Sequence, residues 1–174
     1  MLQALVILGH PRPGSLNHAM ADAVREELAG LGGSVCYHDL YAERFDPVLP
    51  AREIPKDAKV PADIRTHCEQ LADADLIVVV HPNWWGQPPA LLKAQAAIVF
   101  NTSNTPPSRE LEAFGDPLEL LWWNCVFRLC GAKRFRRKTY GVVVTSSAEM
   151  RRSWIQDARQ IVREEFDRAS GPSP

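Results

Sequence analysis

The chain has 174 residues, 45% of them hydrophobic, and a formal net charge of −1 at neutral pH. That length suits one domain with a full core, and the near-zero charge argues against a nucleic-acid binder that works by bulk charge. No apolar run is long enough to span a bilayer, and the N-terminal MLQALVIL has neither the basic flank nor the small-residue cleavage site of a signal peptide.

Residues 5–8 are all apolar and read as a strand buried on both faces. A turn dense in Gly and Pro follows, and Ser15 opens a helix over residues 15–31 striped by Leu16, Met20, Ala23, Val24 and Leu28. A strand that ends in such a turn and feeds a helix N-terminus makes an anion site, because unpaired amides and the positive end of the helix dipole meet there. The plainer reading is a strand-to-helix turn capped by Ser15. Gly32-Gly33 ends the helix. A second strand is expected at 34–38, an irregular stretch at 39–50, a polar surface loop at 51–61 and a helix at 62–74. Residues 76–80, apolar throughout, read as a central strand. The loop HPNWWGQ follows, then a fourth strand at 97–100 and the polar loop NTSNTP.

Asp116-Pro117-x-Glu119 is a strong helix start, with Asp as cap and Pro in the first position. It predicts a helix over 117–130 with Leu118, Leu121, Trp122, Cys125 and Leu129 on one face and Leu120, Trp123 and Phe127 on another. The basic run KRFRRK, residues 133–138, reads as a solvated segment ahead of a fifth strand at 140–144, or as a surface for an anionic cofactor or partner. Ser146-x-x-Glu149 reads as a capping box for a last helix, to about residue 168, that buries Trp154, Ala158, Ile161, Val162 and Phe166. Residues 170–174 read as a flexible tail. Cys36, Cys68, Cys125 and Cys130 form no CxxC pair and read as reduced, mostly buried thiols of a cytoplasmic protein.

Strands alternating with helices predict a single α/β domain over residues 1–169, a doubly wound parallel sheet of five strands in the order 2-1-3-4-5. In that order the loops after strands one, three and four converge at the switch point. The first loop suits a phosphate, Trp84 and Trp85 in the second offer flat apolar walls, and the third offers hydroxyls and amides. A heteroaromatic ring with a phosphate tail fits such a trio. GxGxxG, GxxxxGK[ST] and GxSxG are all absent, and His10, His18, His38, His67 and His81 lack metal-ligand spacing, so no metal is expected.

These residues resemble the flavodoxin-like NAD(P)H:quinone oxidoreductases. GHPRPGSLN matches that family's H-x(4)-S-x-N loop, DLYAERFDP its DLY-x(3)-F-x-P segment, and HPNWWGQPPALLK its P-x-x-W-x-x-x-PA-x-LK segment. The resemblance implies a flavodoxin-like fold, a flavin (FAD or FMN), NAD(P)H as co-substrate, a quinone or similar small acceptor, and a homodimer. It places His10, Ser15, Leu16 and Asn17 on the flavin phosphates, Pro82, Asn83, Trp84 and Trp85 around the ring, and Thr102, Ser103 and Asn104 at its polar edge. No acid or base is named, because PPSRELEAFGD holds neither the Tyr nor the His that relatives use after the third loop. The resemblance also implies an internal deletion after Trp84-Trp85, leaving a shortened crossover with at most a one- or two-turn helix between strands three and four. The other function class is a flavin-free or weakly flavin-binding regulatory module, ancillary to a membrane protein, that keeps the fold without the catalysis.

Overall fold

A computed structural model describes residues 1–46, 59–83, 96–128 and 132–170. The apolar runs form the middle of one parallel sheet: β1 (Gln3–Leu8), β2 (Ser34–Asp39), β3 (Leu76–Pro82), β4 (Ala96–Ser103) and β5 (Arg134–Gly141), in the order β2-β1-β3-β4-β5. This is the flavodoxin-like order expected from the sequence. Every residue of β4 and all of β3 up to His81 is buried, as parallel strands covered on both faces require.

Alternation divides the core. Val6, Leu8, Val78, Val80, Ile98 and Phe100 pack beneath α1 (Leu16–Gly30) and α5 (Ala148–Ser170). Leu5, Ile77, Val79, Ala97 and Val99 face the other way, toward α2 (Ala62–Asp73) and the segment after residue 116. Ser15 caps α1, its hydroxyl accepting the His18 N–H. The helix stops where Gly32 turns to φ +83° and the Gly33 N–H reaches the Leu28 carbonyl.

Four expectations need correction. The fifth strand lies earlier than residues 140–144: the basic run is itself the strand. On an edge strand one row of side chains borders water, so β5 carries charge in place of an apolar run. Arg134, Arg136 and Lys138 project toward α5 and pair with Glu165, Glu164 and Asp157, while Phe135 and Arg137 project to the opposite face. Arg134, Arg136, Arg137 and Lys138 are thus each paired with a carboxylate within the molecule.

Second, the helix after Asp116 is α-helical only in α4 (Pro117–Leu120), and Leu121–Phe127 winds as a π-helix. Residues five apart lie about 140° apart on an α-helix. Here Trp122 and Phe127 stack with ring centroids 5.3 Å apart, and the Arg128 N–H donates to the Trp123 carbonyl. Leu118, Trp122 and Phe127 are buried, whereas Leu120 and Cys125 are exposed.

Third, Ser147 rather than Ser146 caps α5, accepting the Met150 N–H at 3.1 Å, while the Ser146 hydroxyl donates to the Val143 carbonyl. Fourth, the thiols are not mostly buried, since Cys68 and Cys125 are exposed. An additional helix, α3 (Pro107–Phe114), closes on Gly115 at φ +65°. The shortened crossover, Trp84, Trp85 and Cys130 lie outside the described residues, as does the tail past Ser170.

Candidate functional site

The carboxyl ends of β1, β3 and β4 are neighbours, because Leu8 is paired with Val80 and Pro82 with Thr102. Loop one leaves β1 at Gly9, whose N–H donates to the Val80 carbonyl, and enters α1 through Gly14 at φ +68°. The first turn of α1 carries no acidic residue, so nothing on that turn offsets the positive end of the helix dipole.

The loop's side chains are interlinked. The His18 Nε2 faces Asp39 Oδ2 at 3.4 Å, which leaves Nδ1 as acceptor for the Ser15 hydroxyl at 2.8 Å. The His10 Nδ1 accepts the Arg12 N–H, and burial holds the His10 imidazole below the ordinary histidine range. Leu16 begins α1 beside the cap. Asn17 is only 2% exposed, and its Nδ2 donates to Thr102 Oγ1 at 3.0 Å. That bond fastens the start of α1 to β4. The sequence singled out none of Arg12, His18 and Asp39 as site residues; Arg12 lies in the loop and His18 in the first turn of α1, but Asp39 is brought there only by the β1–β2 pairing.

The third loop is partly strand. Asn101, Thr102 and Ser103 belong to β4 and are buried, because the β3–β4 ladder continues to Pro82. The Ser103 hydroxyl accepts the Thr105 N–H at 3.0 Å, and Asn104 Oδ1 accepts the Val144 N–H at 3.1 Å. Asn83 donates its backbone N–H to the Thr102 carbonyl and its side-chain amide to Glu110 of α3. The structure thus brings His10, Ser15, Leu16, Asn17, Pro82, Asn83, Thr102, Ser103 and Asn104 to one end of the sheet.

Beneath this end runs a buried polar chain that sequence reasoning missed. His81 Nδ1–H donates to the Pro82 carbonyl at 2.8 Å, and its Nε2 accepts from Asn101 Nδ2 at 2.7 Å. Asn101 Oδ1 accepts from Arg137, which is 5% exposed and also donates to Thr139, Asp116 and Glu119. Burial depresses the His81 pKa from 6.5 to about 4, so the imidazole is neutral at neutral pH. Trp122 lies against His81, ring centroids 5.5 Å apart, with its indole N–H buried and unpartnered among the described residues.

The family described as Flavodoxin-like fold matches residues 3–105. An NAD(P)H dehydrogenase [quinone] 1 from Cavia porcellus is 32% identical over 117 residues, covering 56% of this chain and 42% of the relative. The chain spans about half the length, or less, of the curated relatives it matches. Among solved structures, an NAD(P)H:quinone oxidoreductase from Methanothermobacter marburgensis superposes with a TM-score of 0.82 at 19% identity, covering 99% of this chain and 98% of that one. A general stress protein 14 from Treponema denticola, solved in complex with FMN, gives a TM-score of 0.62 at 16% identity over 97% of this chain and 99% of its own. At such identities these two structures speak for the fold.

Proposed function

The chain belongs to the Flavodoxin-like fold family, and we propose that it is a flavin-dependent oxidoreductase passing hydride from NAD(P)H to a quinone or similar small acceptor. One observation carries this reading: a donor-rich loop at an acid-free helix N-terminus stands at the switch point of the sheet. That donor set fits an anionic phosphate, whether of FMN or of FAD. His10, Ser15, Leu16 and Asn17 hold the phosphates, Asn17 by fixing the loop to Thr102. Pro82, Asn83, Trp84 and Trp85 flank the ring. Thr102, Ser103 and Asn104 border its polar edge, through backbone groups where their side chains are already bonded. The flavin, when bound, supplies the two-electron chemistry, while the protein orients it and excludes water. The same bonded side chains favour a second reading, a flavin-free regulatory or ancillary module, since they satisfy themselves without a ligand.

Absorbance separates the two. Purified protein mixed with FMN should retain flavin colour through gel filtration and oxidise NADH or NADPH in the presence of a quinone. Protein that stays colourless with FMN and with FAD supports the module. Replacing Ser15 with Ala should weaken FMN binding by about 1.5–3 kcal/mol, the range for a hydrogen bond to a charged group. Unchanged affinity would make Ser15 a cap alone.

We also propose a homodimer in the cytoplasm. Leu111, Phe114 and Leu120 are exposed on α3 and α4, and this stretch, with the helical segment after Asp116, forms the interface. Cys36, Cys68 and Cys125 are free thiols, in keeping with a reducing compartment. Sedimentation at micromolar concentration should give the mass of two chains, and a single-chain mass refutes the dimer. No helix among the described residues is long and apolar enough to cross a membrane.

A further inference from the structure

Three side chains far from the switch point meet beside β2. His38 lies near the end of β2, Glu43 in the turn after it, and His67 on α2. One nitrogen or carboxylate oxygen from each lies within 4.8 Å of the other two. The spacing is not that of a metal motif, which is why the sequence alone passed them over. The fold supplies the proximity by packing α2 against the sheet edge.

The His38 ring faces acceptors on both sides. Its Nδ1 stands 3.0 and 3.1 Å from the two carboxylate oxygens of Glu43, and its Nε2 stands 2.8 Å from Gln70 Oε1. A neutral imidazole carries one N–H and can donate to only one of them. A cation seated between Nδ1, Glu43 and His67 removes the conflict. The ring then keeps its proton on Nε2 for Gln70 and gives the Nδ1 lone pair to the metal. A metal-bound histidine commonly gives its other N–H to an oxygen acceptor in this way, which fixes the tautomer and the ring orientation. The second imidazole is held too: His67 packs edge-on to His38, centroids 4.4 Å apart, and against Phe45 at 5.4 Å. Cys36 Sγ lies 3.5 Å from Nε2, at the far edge of the ring, and is outside the ligand set.

We infer that His38, Glu43 and His67 form a binding site for a divalent cation of the zinc type. Two imidazoles and one carboxylate suit Zn²⁺ better than Mg²⁺ or Ca²⁺, which prefer oxygen ligands throughout. Three protein ligands leave the fourth tetrahedral position to water. The bound ion joins β2, the turn after it and α2, so it fastens the edge strand to its covering helix.

The test uses the full chain without a polyhistidine tag, stripped with EDTA and titrated calorimetrically with Zn²⁺, no flavin added. One equivalent should bind, the unfolding temperature should rise with Zn²⁺, and Co²⁺ in its place should give the intense visible bands of a four-coordinate ion. Gln70→Leu removes the orienting acceptor and should lower the Zn²⁺ affinity about ten- to hundredfold. Glu43→Gln and His67→Asn remove ligands and should lower it further. Glu43 stands in an exposed turn, so its variant keeps the fold even if a change at His67 does not. Absence of Zn²⁺ uptake by the unaltered chain overturns the site. Equal affinity in the unaltered chain and Glu43→Gln overturns it as well.

Discussion

Replacing Arg137 with Met should destabilise the protein by about 3–5 kcal/mol, the cost of removing one partner from a buried charged network. The guanidinium is 5% exposed and has no water to fall back on. It donates to Asp116, Glu119, Asn101 and Thr139, and so ties β5 to α4 and to the end of β4. Without it, the buried Asn101 Oδ1 loses a donor, the half-buried Thr139 hydroxyl loses another, and Asp116 loses the positive charge opposite it. Lys in its place restores charge without the planar fork and should recover only part of the loss. Urea denaturation checks this through the midpoint at unchanged slope. A loss below about 1 kcal/mol, the ceiling for most exposed ion pairs, would mean the network is wet.

The second large effect is acid sensitivity seated at His81. Burial holds its folded pKa at about 4 against 6.5 for an unperturbed histidine. Above pH 6.5 the imidazole is neutral in both states and stability does not depend on it. As pH falls below 6.5, the unfolded chain takes up a proton that the folded chain refuses, so stability falls by about 1.4 kcal/mol per unit. By pH 4 the accumulated loss is about 3 kcal/mol, and below that it levels off. His81→Gln cannot take the proton. Its stability relative to the unaltered protein should rise by that amount between pH 7 and pH 4, while the carboxylates common to both cancel. Parallel stability curves over that range would show that His81 is protonated in the folded state without penalty.

The parts of this fold legible in the sequence are those where burial acts on both faces of a strand. Val78 and Ile98 belong to runs with no polar neighbour, and such runs in an α/β chain have few places to go. Ser15 and the glycines that bracket α1 act through local backbone chemistry, which the sequence states directly. What stayed hidden depends on partners distant in the chain. Arg136 looks like solvent until Glu164 is placed across from it on α5. The Trp122–Phe127 stack is invisible at α-helical spacing because the winding changes at Leu121. Loop one was found by its local pattern, yet the bond from Asn17 to Thr102 shows that its shape depends on β4. His38 and His67 came together only when α2 settled against β2.

The pairing of α1 with α5 bears on how the chain is made. Arg159 and Arg163 of α5 reach Glu26 and Glu27 of α1, and Ile161 and Val162 roof the same face of the sheet as Val6 and Leu8. During synthesis α1 emerges well before α5, the element that shares its face. Until α5 leaves the ribosome, α1 alone covers the face that holds Val80 and Phe100, and closing the loop between the two helices carries the entropy of the whole intervening chain. Folding of this domain therefore completes only after α5 has been made, and until then the nascent sheet keeps part of its hydrophobic surface open to chaperones.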